Sequence, residues 1–569
     1  MSNLIRDAMR QLDELLLDAY RAASGAGALP PDAEPSGVLE IPRDPSNGDF
    51  AATHAMAAAR AMRRPPREIA GALLAHIKLD GGYFATCGAA GAGFMNFTLS
   101  DKWYSDVLRA AEEDGASYGR SDYGGGKRVM VEFVSANPTG PMTIGNARGG
   151  VLGDALASVL EMAGYDVRRE FYVNDAGNQV ELFGKSAAAR YMQICLGEDA
   201  VRFPENGYHG DDIRELAAEV YGREGDSLAA LPESELARRF VEIGIPRNIE
   251  LMREHLERYR IRFDEWFPES RLHASGYVED TIRRLTESGL TYESDGALWL
   301  KNTALGADKD EVLRRSDGSY TYQAADIAYH RDKFAERGFE RVIDVLGADH
   351  HGHTVRFGAM MSAPALRSAL GVTQGELEFL LMQMVLLKRD GEVVKVSKRT
   401  GKALTLNDLL DEISVDACRF FFNAKPDTHL EFDLDLAVRQ DSENPVYYVQ
   451  YAHARICSLI DALGADGHCV PAARDIDAAL LREPSERELI KQIALLPEEI
   501  VQAARDRDPS RINRYVTELA ARFHKFYGAC RMRGEREDVL KARLKLADTT
   551  RRVVAIGLGV IGVTAPERM

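Results

Sequence analysis

Apolar positions in this 569-residue chain change their spacing several times along its length. The opening MSNLIRDAMRQLDELLLDAYRAAS places Leu, Ile and Met on one face of a helix interrupted by acids, unlike a signal or transit peptide. A second helical stretch is predicted over 49–77, broken at Pro65-Pro66 by missing amide hydrogens and ring clashes. GFMNFTL (93–99) reads as a strand, and Gly124-Gly125-Gly126 marks a boundary. RVMVEFV (128–134) is then a β-rich run, followed by the turn formers of SANPTGPMTIG (135–145). Helical spacing returns over 147–163 at Val151, Leu152, Ala155, Leu156, Val159 and Leu160, and after Gly164 VRREFYV (167–173) is again strand-like. Strand, loop, helix and strand of this length make a βαβ unit, which predicts a parallel sheet with a ligand at its C-terminal edge.

Further along, residues 195–300 are more polar and acidic and read as a helical insertion. RVIDVLG (341–347) supplies another buried-type strand, and VLLKRDGEVVKVS (385–397) a hairpin turning at Asp390-Gly391. From about 441 the pattern is helical with no strand candidate. The longest apolar run, VVAIGLGVIGV, falls short of the roughly 20 residues a membrane span requires and reads as a buried helix.

Composition adds bounds rather than chemistry. The length predicts two to four domains, and 45% hydrophobic with 28% charged residues is ordinary for a soluble protein. Six cysteines (Cys87, Cys195, Cys418, Cys457, Cys469, Cys530) include no CxxC pair, which argues against a disulfide framework or a zinc ribbon and fits a reducing cytoplasm. A net charge of -17 argues against a nucleic-acid partner for the chain as a whole, but only a contacting face has to be basic.

The loop 135–146 joins a strand to a helix N-terminus, whose unpaired N–H groups and partial positive charge suit a phosphate. Gly140 and Gly145 permit close approach of backbone to ligand, although on these residues alone an ordinary βα connection is the commoner reading. It is neither a Walker loop nor a GxGxxG fingerprint. Asp349, His350, His351 and His353 suggest a metal cluster at first sight, but alternating residues on a short loop rarely converge on one ion.

SANPTGPMTIGNARGG, followed by LGD at 152–154, resembles the first signature of class I aminoacyl-tRNA synthetases in its arginine-specific form. The usual His-x-Gly-His tetrad is here Thr143-Ile144-Gly145-Asn146, so neither histidine is present, and T-I-G-N is the form this signature takes in tryptophanyl-tRNA synthetases. Lys395-Val396-Ser397-Lys398 resembles the second signature, Lys-Met-Ser-Lys, whose two ammonium groups can follow the charge that builds on pyrophosphate. A guanidinium substrate calls for planar carboxylate partners. The resemblance implies that Glu132, in the apolar strand, reads it together with Tyr322 and Asp326 of TYQAADIAY, and that Asn137 holds the amino acid's backbone end. LGADHHGH resembles the family's element near ATP ribose and adenine, implying Gly347, Asp349 and His350 as ATP-binding residues beside Gly140, Gly145 and Ser397. Thr143, Asn146, Lys395 and Lys398 are the implied catalytic set. YVNDAGNQV keeps the family's Asn174, Asp175, Gly177 and Gln179 without implying their contacts.

NPVYYVQYAHARI (444–456) resembles the opening helix of the anticodon-binding domain, and Tyr448, Tyr451 and Arg455 would share one face as a stacking platform for unpaired bases. Such helices are also common as buried core. The terminal GVIGVTAPERM resembles the family's chain end, implying that Met569 approaches the anticodon; GFMNF resembles an extra domain touching the tRNA D-loop, implying Phe94 and Asn96.

The expected fold is therefore α/β: a Rossmann-type parallel-sheet catalytic domain over 125–390, with its insertion at 195–300, behind an N-terminal α/β additional domain (1–110). A signature-loop region (391–440) and a C-terminal all-α anticodon-binding domain (441–569) follow. The implied activity is ATP-dependent ligation of L-arginine to tRNA(Arg) by a cytoplasmic monomer, with Mg²⁺ arriving on ATP, no protein-bound zinc and no membrane partner. Members of the family typically need tRNA bound before they activate arginine, and the resemblance implies the same here. Two rivals are a cysteinyl-type synthetase, disfavoured by the absent thiolate grouping, and a non-catalytic tRNA-binding paralogue, supported only by the missing histidines.

Overall fold

The computed structural model describes residues 2–394, 404–424 and 428–569. Its N-terminal part packs a helix, Leu4–Gly25, beside a four-stranded antiparallel sheet. The stretch predicted as one broken helix over 49–77 begins instead with a strand, Phe50–Ala52. Helices His54–Met62 and Pro66–Leu74 follow, with Arg63 turning the chain between them in the left-handed region. Strand Phe94–Leu99 buries Met95, Phe97 and Leu99, so Phe94 and Asn96 share its other, partly exposed face.

The centre of the molecule is a five-stranded sheet, all parallel. Its strands are β1 (Arg128–Glu132), β2 (Asp166–Val173), β3 (Glu265–Pro268), β4 (Arg341–Gly347) and β5 (Glu376–Met382), and they lie in the order β5, β4, β1, β2, β3. Val129, Met130 and Val131 are all buried, as a strand covered on both faces requires. Helix α1 (Ile144–Met162) crosses from β1 to β2 and lies directly on the sheet. A Cβ on Gly153 would sit 2.2 Å from the Phe133 ring, so only glycine allows that approach. The strand order reverses between β1 and β4, and a doubly wound sheet opens its ligand crevice at that switch point.

Residues 195–300 are not a purely helical insertion. They include helices Asp211–Glu224 and Glu233–Arg258, but also β3 itself and the hairpin Thr291–Ser294 with Ala297–Leu300. Beyond β5, strands Val385–Arg389 and Glu392–Val394 pair antiparallel; Asp390 (φ 52°) and Gly391 (φ 78°) both take the positive angles that a two-residue hairpin turn needs. Among the described residues after 441 there are helices and no strands: α4 (Pro445–Ala465), Pro484–Ala494, Leu496–Asp506, α5 (Ser510–Ala529) and α6 (Glu537–Val560). Val553, Val554 and Leu558 of the terminal apolar run are buried in this bundle, and among the described residues no helix is long and apolar enough to cross a membrane.

Candidate active site

A cleft of about 630 Å³ opens at the switch point. Asn137, Gly140, Thr143, Gly145 and Asn146 line it from the β1–α1 loop, and Gly347, Asp349 and His350 from the end of β4. Sequence reasoning placed all eight, but missed Tyr208, Gly210 and Asp212, which the insertion contributes. Asn248 reaches in from helix Glu233–Arg258 and donates its amide to the Pro138 carbonyl at 2.9 Å, holding the loop from behind.

Thr143 and Asn146 form a reciprocal cap on α1. Asn146 Oδ1 accepts from the Thr143 amide (2.9 Å) and hydroxyl (2.8 Å), while Thr143 Oγ1 accepts from the Asn146 amide (3.3 Å). These side chains therefore fix the helix terminus whose amides face the cleft. A second capped terminus stands beside it: Thr405 bridges to Thr143, and the Leu406 amide donates to the Met142 carbonyl at 2.9 Å. Lys395, Ser397 and Lys398 lie outside the described residues.

A second cavity of about 480 Å³ adjoins, lined by Asn174, Gly177, Gln179, Glu269, Arg315 and Tyr322, among others. Asn137 donates to Gln179 Oε1 at 2.7 Å, so the two cavities meet at that pair. Asp175 faces away and accepts from the Ser270 amide (2.8 Å) and hydroxyl (2.6 Å), clamping the helix that carries Glu269. Tyr322 and Asp326 are one turn apart on α2 (Tyr322–Arg331), hence on one face. Tyr322 is 64% exposed and lies on the cavity, whereas Asp326 keeps 29% side-chain exposure beside His353 (3.5 Å) of α3 (His351–Ser362). Burial, and then the charges of Glu132 and Glu269, push the Asp326 pKa up to about 8. A cation is the ligand that relieves such crowding of carboxylates.

Glu132 is neither a solvent-facing strand residue nor an open ligand. It is buried, accepts from Lys333 Nζ at 2.6 Å on one oxygen, and from Ser135 Oγ at 2.9 Å on the other. Burial alone would depress the Lys333 pKa, but the carboxylates of Asp344 and Glu132 outweigh it and raise it. Asp344 accepts from Lys333 (3.0 Å) and contacts His330 Nε2 (2.9 Å). Both Glu132 oxygens are thus engaged internally, whereas Asp326 keeps part of its carboxyl exposed one turn from Tyr322, which lines the second cavity. The partner that satisfies Glu132 lies 201 residues away and had no signal in sequence.

In the helical bundle the Tyr448, Tyr451 and Arg455 face is assembled on α4. Arg455 lies 5.8 Å over the Tyr451 ring and 4.3 Å over Tyr527 of α5. Tyr448 and Tyr451 flank His524, and Tyr447 stacks on Tyr451 at 6.0 Å. The aromatic cluster thus takes in Tyr447, His524 and Tyr527 besides the three residues read from sequence. Met569 is exposed. His353 faces Asp326 and His350 pairs with Asp349; among the described residues no group of three or more His, Cys, Asp or Glu is arranged to hold a metal ion.

Three family models match the chain: arginyl tRNA synthetase N terminal domain over residues 3–99, tRNA synthetases class I (R), catalytic domain over 114–460, and DALR anticodon binding domain over 449–569. Arginine–tRNA ligases of Acetivibrio thermocellus and Ruminiclostridium cellulolyticum are each 48% identical to it, covering 100% of both chains. A Campylobacter jejuni arginyl-tRNA synthetase structure superposes with a TM-score of 0.75 at 33% identity, covering 83% of this chain and 100% of that one. The Thermus thermophilus arginyl-tRNA synthetase, at 22% identity and a TM-score of 0.70 over 98% of this chain and 100% of its own, bears on the fold alone.

Proposed function

Because the chain belongs to the arginyl-tRNA synthetase family and ligates arginine to tRNA, we propose that ATP occupies the switch-point cleft and arginine the adjoining cavity beside Tyr322 and Glu269. The observation that carries this is the Asn137–Gln179 contact, which joins a cleft rimmed by helix N-termini to a cavity lined by Glu269 and Tyr322, with Asp326 one turn along the same helix as Tyr322. The guanidinium meets Asp326 and Tyr322, with Glu132 adding negative field from behind. Asn137 holds the α-amino acid end toward ATP.

A carboxylate oxygen of arginine bonds to the α-phosphorus as the bond to pyrophosphate breaks. The capped α1 terminus at Thr143 and Asn146, together with Lys395, Lys398 and the Mg²⁺ that ATP brings, offsets the developing charge. Gly140, Gly145, Gly347, Asp349, His350 and Ser397 hold the nucleotide. A terminal ribose hydroxyl of tRNA then attacks the carbonyl, and AMP leaves. Contacts to tRNA(Arg) come from Phe94 and Asn96 at one end and from Tyr448, Tyr451, Arg455 and Met569 at the other. We place the domain boundaries at 1–110, 125–390, 391–440 and 441–569. The enzyme acts as a cytoplasmic monomer, and its unpaired cysteines suit a reducing medium.

ATP–pyrophosphate exchange with each amino acid, with and without tRNA, tests this directly. Exchange is expected with arginine alone among them, and only when tRNA is present. Binding of tRNA without any exchange would favour the non-catalytic reading.

Two finer outcomes follow from the geometry. In the free enzyme Asp326 is mostly neutral below about pH 8, and the guanidinium binds its ionised form, so arginine binding expels a proton. Arginine affinity should therefore rise with pH, by up to about tenfold per unit below the Asp326 pKa, and level off above it. Calorimetry in buffers of different ionisation enthalpy reads that proton directly; a flat profile from pH 6 to 9 would separate Asp326 from the substrate. Thr143→Ala removes a cap that contributes about 1 kcal/mol, and should slow adenylate formation while leaving the arginine KM nearly unchanged. An unaltered exchange rate would show that the hydroxyl serves the helix and not the chemistry.

A further inference from the structure

Lys333 stands outside every role assigned so far. We propose that it is a positioning residue for the ATP loop: its ammonium fixes Glu132, and Glu132, through Ser135, latches the strained turn at Val134–Ser135. The proposal rests on the functional reading above, since it concerns the loop that carries Asn137 and Thr143.

Its basis is a chain of contacts ending at an uncommon backbone. Lys333 has no solvent exposure and lies in a π-helical segment, Asp332–Glu336, that directly continues α2; such segments are rare and frequent at functional sites. From there Nζ reaches Glu132 and Asp344 and sits 4.2 Å over the Tyr329 ring. Ser135 Oγ donates to Glu132 and accepts from the Tyr172 amide at 3.1 Å, so the hydroxyl is pinned on both sides. Val134 (φ 67°) and Ser135 (φ 38°) are consecutive non-glycine residues in the left-handed region, and for β-branched valine this is a true outlier. Backbone of this kind persists only where its surroundings over-determine it. Here Glu132 and Tyr172 hold one end of the loop, and Asn248 holds the other at Pro138. A buried ion pair is weak evidence for stability in itself, because an apolar replacement often does as well. The ammonium is better explained by the geometry it enforces.

The test uses the full-length enzyme and arginine-dependent exchange with tRNA, comparing Lys333→Met, Ser135→Ala and the double variant, with thermal unfolding alongside. Each single change is expected to lower kcat by about 10²-fold, the cost of small misplacement in a reacting site. For Ser135→Ala, which leaves every buried charge in place, the arginine KM should stay close to that of the wild type. The double variant should be no slower than the poorer single one, because both changes cut the same latch. Multiplicative losses, or a defect confined to the arginine KM, would overturn the proposal. Should Lys333→Met not fold, Ser135→Ala keeps the buried charges and decides alone: an unchanged kcat sinks the latch. A wild-type enzyme without arginine-dependent exchange would overturn both the latch and the functional reading, whereas a working wild type with an indifferent Ser135→Ala overturns only the latch.

Discussion

Asp326→Asn should weaken arginine binding roughly ten- to a hundredfold, the equivalent of the 1.5–3 kcal/mol typical of a hydrogen bond to a charged group, while the KM for ATP stays near its wild-type value. The asymmetry follows from position: Asp326 lies one turn from Tyr322, which lines the second cavity, whereas the cleft proposed for ATP is lined by the loops after β1 and β4. The size of the effect should depend on pH. Near neutrality part of the wild-type gain goes into removing the Asp326 proton, so the gap between wild type and variant should widen toward pH 9. Equilibrium binding of arginine at pH 7 and pH 9 would settle it, and equal affinities at both would remove Asp326 from the arginine pocket.

Arg419→Met is expected to cost about 3–5 kcal/mol of stability, the usual consequence of breaking one side of a buried charge network. Arg419 is fully buried. Its Nε donates to the Ile561 carbonyl (3.0 Å), its Nη1 to those of Tyr259 and Arg260 (3.2 Å each), and its Nη2 to Asp154 of α1. Methionine fills much of the volume but leaves all four acceptors without this donor. Asp154 alone keeps a second cation, Arg169, at 3.3 Å. Because Arg419 ties the catalytic sheet's helix to the end of the bundle, the loss should show as earlier unfolding and faster proteolysis at that junction. An unchanged melting profile would mean that the carbonyls find other donors.

The parts of the fold legible in sequence were those whose pattern is local. β1, α1, β2 and β4 are short apolar runs or periodic segments bounded by turn residues, and each was found within a few residues. β3 was missed because Glu-Trp-Phe-Pro is only four residues long, carries a charge and ends in proline. The cleft residues were read from two loops, after β1 and after β4, and their family resemblance, and they line the cleft together. What escaped was the long-range half of the site. A charge inside an apolar strand announces that Glu132 needs a partner, but nothing local names Lys333. Likewise Asp212 and Asn248 look like ordinary helix residues until the insertion folds back over the loop.

The final turn of the chain also sets practical limits on how this enzyme can be handled. Asp416 accepts from the Thr564 amide at 3.0 Å, Gln450 donates to the Thr564 carbonyl at 2.9 Å, and His453 Nδ1 meets the Pro566 carbonyl at 2.8 Å. A dye or affinity peptide added after Met569 would hang in solvent, clear of these clasps. Cutting back to Gly562 would instead remove Thr564 and Pro566 together with these bonds, and a shortened protein of that kind would report on a loosened junction as well as on the loss of Met569.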